Sequence, residues 1–143
     1  MGKDNYINGR LSVILSEQKH VIFGSDCAIS FGVWIRTAAP HLVYDAETKQ
    51  RLNPSKSVFV GDHVWIGQSA MLLKGTQISS GSIIGAGSVV AGKRIPANTS
   101  WAGNPARQVK EGIFWSGQCV HRWQDKETEE FKVMQTDKYN LNP

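Results

Sequence analysis

Residues 58–90 read VFVGDHVWIGQSAMLLKGTQISSGSIIGAGSVV, and this stretch repeats a pattern every six positions. A six-residue period fits neither a 3.6-residue helix nor a long alternating strand, but it fits a short strand followed by a turn. We therefore predict a solenoid in which each hexad forms one side of a three-sided coil. The period is marked by the aliphatic residues Val60, Ile66, Leu72, Ile78, Ile84 and Val90.

A second set of residues, small or β-branched, stands four positions after the aliphatic residues. Both sets have the same parity within a hexad and are predicted to point inward, whereas His63 and Trp65 are predicted to point outward. Bulk at the second position would overpack the narrow axis of the coil. The same phase appears upstream at Phe23, Ile29 and Ile35, with Cys27 and Val33 as the small residues. The downstream set is Val64, Ala70, Thr76, Ser82 and Ser88.

The limits of the repeat predict the organisation of a single domain, residues 1–143, of the all-β class. We expect the β-helix to span about residues 21–95, with the phase broken by a protruding loop at 36–57 that contains Pro40 and Pro54. Leu11 and Val13 alternate as in a strand, but residues 1–20 show no secure hexad phase. A loop of about twenty residues in a small domain is usually functional or packs on a neighbour.

Beyond residue 95 the sequence predicts short C-terminal helices within 104–135. Asn104 and Pro105 match a helix N-cap and first helical position, and Gly112 matches a helix stop. A second short helix is predicted to begin at Asp125. We expect the last residues, 137–143, to be poorly ordered.

Composition excludes several classes of function. The net charge is +4, but no block of five like charges occurs, so the excess suits a small anionic ligand better than nucleic acid. Neither an apolar run of membrane-spanning length nor a secretion signal is present, and we expect a soluble, cytoplasmic protein without membrane insertion. Cys27 and Cys119 are too few for a disulfide framework and are predicted to be structural thiols.

Four features together resemble the hexapeptide-repeat acetyltransferases, especially galactoside, maltose and capsular-polysaccharide O-acetyltransferases. They are the hexads, GDHVWIG at 61–67, IGAGSVV at 84–90 and AGNPA at 102–106, and the likeness spans about residues 21–115. The resemblance implies a left-handed parallel β-helix that forms homotrimers. It also implies acetyl-CoA as co-substrate, no metal, and a site where acetyl-CoA and acceptor meet between subunits.

The resemblance implies that His41 is the general base. It stands in the loop, 24 positions before Trp65, where that family carries its catalytic histidine. Imidazole can be neutral near pH 7 and can accept the proton of a hydroxyl as its oxygen attacks the thioester. Close relatives often carry aspartate where this chain has Ala39, so the group that orients the imidazole is open. Asp26, Asp45 and a backbone carbonyl are candidates.

For acetyl-CoA the resemblance implies contacts from a tryptophan, a small coil residue and several basic residues. Trp65 would line the pantetheine and acceptor end of the cleft, or else serve as an aromatic residue of the trimer interface. Arg107 and Lys110, three positions apart on the predicted helix, would reach the CoA phosphates together, unless they form a solvated face. The complete set is Trp65, Ala86, Lys93, Arg94, Asn104, Pro105, Arg107 and Lys110.

The predicted function is transfer of an acetyl group to a sugar hydroxyl of a surface polysaccharide or its precursor. Acetylation of an amino sugar or an antibiotic, and a non-catalytic trimeric scaffold, remain alternatives. A γ-type carbonic anhydrase has the same fold, but it needs three histidines around zinc, two of them close in sequence. This chain does not provide that spacing, because its histidines are His20, His41, His63 and His121.

Overall fold

The computed structural model describes residues 1–120 and 131–134, and within them the regular structure is entirely β. The prediction of an all-β chain is therefore confirmed for this part. No helix of the described residues is long and apolar enough to cross a membrane. The strands are β1 (Tyr6–Ile7), β2 (Leu11–Ile14), β3 (Val21–Phe23), β4 (Ala28–Ile29), β5 (Val33–Arg36), β6 (Val58–Val60), β7 (Trp65–Ile66), β8 (Met71–Leu72), β9 (Gln77–Ile78), β10 (Ile83–Ile84), β11 (Val89–Val90), β12 (Arg94–Ile95), β13 (Ser100–Gly103) and β14 (Ala106–Lys110).

Every third strand lies in the same parallel sheet, which makes the chain a three-sided β-helix. Sheet A has the order β1-β4-β7-β10-β13-β14, sheet B has β2-β5-β8-β11, and sheet C has β3-β6-β9-β12. Four coils follow one another, and β13 begins a fifth. We name the edges by the sheets they join, so that the A–B edge holds the turns that follow the strands of sheet A.

The inward residues form one continuous core along the axis of the coil. All the aliphatic residues that mark the period are buried, and so are the small residues four positions later, which confirms both predictions. The polar members of the small set all have hydrogen-bond partners, because a buried hydroxyl without a partner is costly. Ser88 Oγ accepts the N–H of Gly103 at 3.1 Å. Thr76 Oγ1 donates to Val90 at 3.0 Å, and Ser82 Oγ donates to Pro96 at 2.7 Å.

The first coil begins at Tyr6, not near residue 21 as predicted. Strand β1 pairs with β4 and β2 pairs with β5, both in parallel. Six residues, 15–20, join β2 to β3, whereas four residues, 73–76, join β8 to β9 on the same edge. The longer turn shifts the hexad phase, which is why the sequence pattern did not reveal this coil.

The predicted helix that begins at Asn104 is wrong, because this segment forms a β-hairpin. Strand β14 pairs antiparallel with β13, and Asn104 and Pro105 form the turn between them. Asparagine and proline suit tight turns as well as helix starts, so the dipeptide alone does not distinguish the two. Strand β14 covers the last strand of sheet A, as terminal caps do in solenoids. The second predicted helix, from Asp125, falls mainly outside the described residues, and 131–134 contain a turn.

The protruding loop leaves the B–C edge of the second coil, between the end of β5 at Arg36 and the start of β6 at Val58. Residues 37–57 contain one isolated antiparallel bridge, between Tyr44 and Arg51. Lys56 N–H donates to Thr37 at 2.9 Å, which brings the two ends of the loop together. The loop therefore projects from the coil without interrupting the stacking of the sheets.

Candidate active site

An open pocket of about 420 Å³ lies along the A–B edge. All four coils contribute to it, since each of its lining residues belongs to a strand of sheet A or to the turn that follows such a strand. Trp65 forms part of its wall, is 42% exposed, and its Nε1 donates to Ser30 Oγ at 3.4 Å. The lining residues are Asn8, Ser30, Phe31, Trp65, Gly67, Gln68, Ile83, Ile84, Gly85 and Ala86.

Close stacking of two turns makes part of the pocket surface from backbone. A Cβ atom on Gly67 would lie 2.5 Å from the nitrogen of Ala86 and 2.8 Å from the carbonyl carbon of Gly85. Glycine is thus required at position 67 for the two coils to approach each other. Ala86 itself is exposed, and its small side chain leaves its backbone open to a ligand.

The structure brings two of the predicted cofactor residues, Trp65 and Ala86, into this one pocket. It adds Asn8 and Phe31, which the sequence analysis did not single out. Asn8 belongs to the first coil, whose phase was hidden by the long turn at 15–20. The signal that could have revealed it is the pair of apolar residues Ile7 and Leu11, which stack on Ile29 and Val33.

His41 lies on a different edge of the coil from the pocket. Its side chain is exposed, in the loop that leaves the B–C edge, and its carbonyl oxygen accepts a hydrogen bond from Asn53 Nδ2 at 2.7 Å. Within one chain, sheet B separates the A–B edge from the B–C edge. The structure therefore does not bring His41 together with Trp65 and Ala86 in a single protomer.

Lys93 and Arg94 lie at the B–C edge, which also carries the His41 loop, whereas the pocket lies at the A–B edge. Lys93 lies in the turn of the B–C edge of the fourth coil, and Arg94 begins β12 on sheet C, opposite Gln77. Both side chains reach the surface, with Arg94 the more exposed. These two basic residues are thus separated from Trp65 and Ala86 in the single chain.

Arg107 and Lys110 lie on a strand, so the predicted helical spacing is wrong, yet the two residues still share a face. A β-bulge makes Lys110 pair with Ser100, while Arg107 pairs with Ala102. Cross-strand partners project to the same side of a sheet, and Ser100 pairs with Ile83 on the outer face of sheet A. Both basic side chains are exposed on that outer face.

His63, predicted to point outward, does so but is covered by the C-terminal segment and only 4% exposed. Its Nδ1 lies 2.7 Å from Asp26 Oδ2, and its Nε2 lies 2.9 Å from the carbonyl oxygen of Trp115. Trp115 also lies beside Trp65, with ring centroids 6.1 Å apart. Asp26 is thereby engaged away from His41.

Neighbouring charge and burial change the pKa values of two further groups, Glu17 and Cys27. The guanidinium of Arg51, with a smaller effect from Ser55, lowers the pKa of Glu17 to about 2. Burial raises the pKa of the Cys27 thiol. Among the described residues no group of three or more histidine, cysteine, aspartate or glutamate side chains could hold a metal ion.

The bacterial transferase hexapeptide family (six repeats) matches residues 57–92, the stretch that forms the regular coils β6 to β11. This part of the chain is similar to the hexapeptide-repeat family. Its hexapeptide repeats thus coincide with the coils that carry Trp65, Gly67 and Ala86.

Similar proteins of this hexapeptide-repeat chain include a polysialic acid O-acetyltransferase of Neisseria meningitidis, 40% identical over 113 residues. That alignment covers 79% of this chain and 53% of the relative. Among solved structures, the polySia-specific acetyltransferase NeuO matches with a TM-score of 0.77 and 28% identity, covering 90% of this chain and 60% of NeuO.

A galactoside acetyltransferase in complex with coenzyme A matches with a TM-score of 0.65 and 28% identity, over 77% of this chain and 53% of that one. The hexapeptide-repeat chain therefore spans only a little over half the length of the relatives it matches. NeuO and the galactoside acetyltransferase share the fold of this chain.

Proposed function

We propose that this chain transfers the acetyl group of acetyl-CoA to a hydroxyl of a sugar in a surface polysaccharide or its precursor. The observation that carries the proposal is the 40% identity to a polysialic acid O-acetyltransferase over 79% of the chain. The CoA complex of a galactoside acetyltransferase with the same fold supports acetyl-CoA as the donor. The open pocket at the A–B edge, with its exposed backbone at Ala86, suits an extended pantetheine chain.

In the proposed mechanism His41 acts as general base. Its neutral imidazole accepts the proton of the acceptor hydroxyl as that oxygen forms a bond to the thioester carbonyl carbon. The C–S bond then breaks, and the CoA sulfur leaves with a proton returned from the imidazolium. No covalent enzyme intermediate is needed, because holding both substrates in one cleft supplies proximity.

We further propose that the complete site lies between two copies of the chain in a trimer of left-handed coils. The pocket residues and His41 occupy different edges of one protomer, so each edge supplies half of a site. In this arrangement Trp65 and Ala86 of one copy face the His41 loop of the next. Lys93 and Arg94 would lie on the loop side, while Arg107 and Lys110 would reach the CoA phosphates from the outer face of sheet A, near the Asn104–Pro105 turn.

Acetyl-CoA turnover tests the function directly. The wild-type protein is assayed with polysialic acid, neutral sugars, amino sugars and a hydroxylated antibiotic, beside His41→Ala and, as control, His20→Ala. We expect a sugar hydroxyl to be acetylated, with kcat reduced about 100- to 1000-fold in His41→Ala and unchanged in His20→Ala. Acceptance of an amine alone would replace the O-acetyl assignment, and CoA binding without turnover of any acceptor would favour a scaffold.

Mixed oligomers test the shared site. His41→Ala and Trp65→Ala chains are co-expressed, and the assembly is isolated through different tags on the two chains. If each site uses the histidine of one copy and the tryptophan of its neighbour, about one in three interfaces of a mixed trimer carries both native residues. Activity should then return to about a third of the wild-type value. Activity no higher than that of either single variant would contradict a site between protomers. A cytoplasmic location remains a prediction.

A further inference from the structure

We propose that Asn53 is a positioning residue for His41, and that the Glu17–Arg51 ion pair holds Asn53 in place. This inference rests on the proposed function, in which His41 is the general base. A base carried by a loop needs a fixed backbone, because a displacement of about 1 Å can cost about 100-fold in rate. The contacts around this loop show how its backbone is fixed.

The carboxamide of Asn53 binds the backbone on both sides of Leu42. Its Nδ2 donates to the carbonyl oxygen of His41 at 2.7 Å, and its Oδ1 accepts the N–H of Val43 at 2.9 Å. Leu52 N–H also donates to the carbonyl of Val43 at 2.8 Å. The Asn53 side chain thus fixes the main chain on both sides of Leu42, the residue that follows His41.

Arg51 connects this clamp to the first coil. Its guanidinium binds Glu17 through two parallel contacts, Nη1 to Oε1 at 2.5 Å and Nη2 to Oε2 at 2.9 Å. The same Nη2 donates to the carbonyl of Asn53 at 3.3 Å. Ser55 adds its hydroxyl and its N–H to Glu17 Oε2. A two-point pair of this kind restricts geometry more than a single contact does.

The carboxylates that the sequence offered as partners of His41 are occupied elsewhere. Asp26 binds His63, and Asp45 accepts hydrogen bonds from its own turn at 47–48. In the described ranges, neither of these carboxylates contacts the ring of His41. The imidazole is therefore oriented through its main chain, and Asn53 holds that main chain.

Asn53→Ala tests the proposal, with Asn5→Ala as a matched control. Asn5 makes the same kind of clamp far from the loop, because its Nδ2 donates to Gly24 at 2.9 Å and its Oδ1 accepts Cys27 N–H at 2.7 Å. We expect Asn53→Ala to lower kcat about 10- to 100-fold, with the KM for acetyl-CoA changed less than about two-fold. Asn5→Ala should leave kcat near the wild-type value.

A double-variant cycle shows whether Asn53 acts through the base. In the His41→Ala background, Asn53→Ala should cause no further loss, because residues that act as one unit are not additive. Glu17→Gln should lower kcat about three- to ten-fold, and it should add little to Asn53→Ala. An equal loss from Asn53→Ala with and without His41 would overturn the proposal, since the effect would then bypass the base.

Hydrogen exchange gives a readout that does not depend on turnover. The Val43 amide should exchange about ten-fold faster in Asn53→Ala than in the wild type, while Asn5→Ala leaves it unchanged. If the wild type turns over a sugar and Asn53→Ala keeps full kcat, this inference alone fails. If the wild type turns over no acceptor at all, the proposed function fails, and the positioning role fails with it.

Discussion

His63 and Trp115 hold each other through reciprocal backbone contacts. Nε2 of His63 lies 2.9 Å from the carbonyl oxygen of Trp115, and Nε1 of Trp115 donates to the carbonyl of His63 at 3.0 Å. Their rings stack with centroids 3.9 Å apart and planes within 7°. A second pair of contacts joins Asn98 and Ile113. Ile113 N–H donates to the carbonyl oxygen of Asn98 at 3.0 Å, and Asn98 Nδ2 donates to the carbonyl oxygen of Ile113 at 2.9 Å. Together these contacts fasten the segment after β14 along the C–A edge.

Removing the Trp115 side chain should detach this segment. We expect Trp115→Ala to lower the free energy of unfolding by about 1–3 kcal/mol, because it deletes a stacked ring and a hydrogen bond and uncovers His63. Denaturant unfolding followed by circular dichroism measures the change. Phe114→Ala is the control, since that neighbouring side chain is 36% exposed and should cost under about 1 kcal/mol. Equal costs for the two variants would contradict the clasp.

Gly67→Ala should disturb both the coil and the pocket. The added methyl would lie 2.5 Å from the nitrogen of Ala86, and this backbone cannot move without shifting a coil. We expect a loss of about 1–3 kcal/mol in the free energy of unfolding, together with weaker CoA binding by calorimetry. Gly117→Ala, where nothing lies within 4 Å of the new methyl, should change neither quantity. A stable Gly67→Ala protein with normal CoA affinity would disprove the close approach.

The two thiols should differ in reactivity. Cys27 is 1% exposed, its Sγ lies 3.2 Å from the carbonyl of Gly61, and burial raises its pKa, whereas Cys119 is exposed. Since the thiolate is the reactive form, a disulfide reagent at pH 8 should titrate one thiol per chain under native conditions and two in denaturant. Cys119→Ser should leave none reactive in the native protein. Two fast thiols in the native wild type would show that the core opens at Cys27.

The anchorage of the loop should resist acid. Arg51 and Ser55 lower the pKa of Glu17 from 4.5 to about 2. A lowered pKa in the folded state means that the stabilisation is complete above about pH 4.5 and is lost as the pH falls toward 2. NMR signals of Ser55 should therefore stay constant from pH 7 to about 4 and change below about pH 3. Glu17→Gln should abolish that change, and a transition centred near pH 4.5 in the wild type would argue against the ion pair.

The sequence predicted the coil well where the residues that determine it lie close together along the chain. Inward aliphatic residues such as Ile66 and Leu72 repeat at six because each side of the prism has the same length, and both are fully buried. The first coil was not predicted, because the turn at 15–20 is longer than the corresponding turn at 73–76 and displaces the phase of the six-residue repeat. The C-terminal hairpin was not predicted, because Asn104–Pro105 suits both a helix start and a tight turn. Only the pairing of β14 with β13 selects the turn.

The site could be predicted in parts but not as an assembly. Trp65 and Ala86 meet in one pocket because β7 and β10 are neighbours in sheet A and the turns that follow them stack on one edge. Asn53 gave no signal, because a carboxamide that binds main chain has no sequence motif. Whether His41 completes the pocket of a neighbouring copy stays a prediction, because repeat spacing describes one chain and not the packing between chains.

The longer turn of the first coil has a practical consequence for how the gene is trimmed. A fragment that starts at residue 21, where the hexads begin, would retain every regular repeat but would lack Glu17. Arg51 would then have no carboxylate to bind, and the protruding loop that bears His41 would lose its ion pair with the first coil. We expect such a fragment to keep the hexads that are counted from the sequence and to lose β1, β2 and the support of the His41 loop.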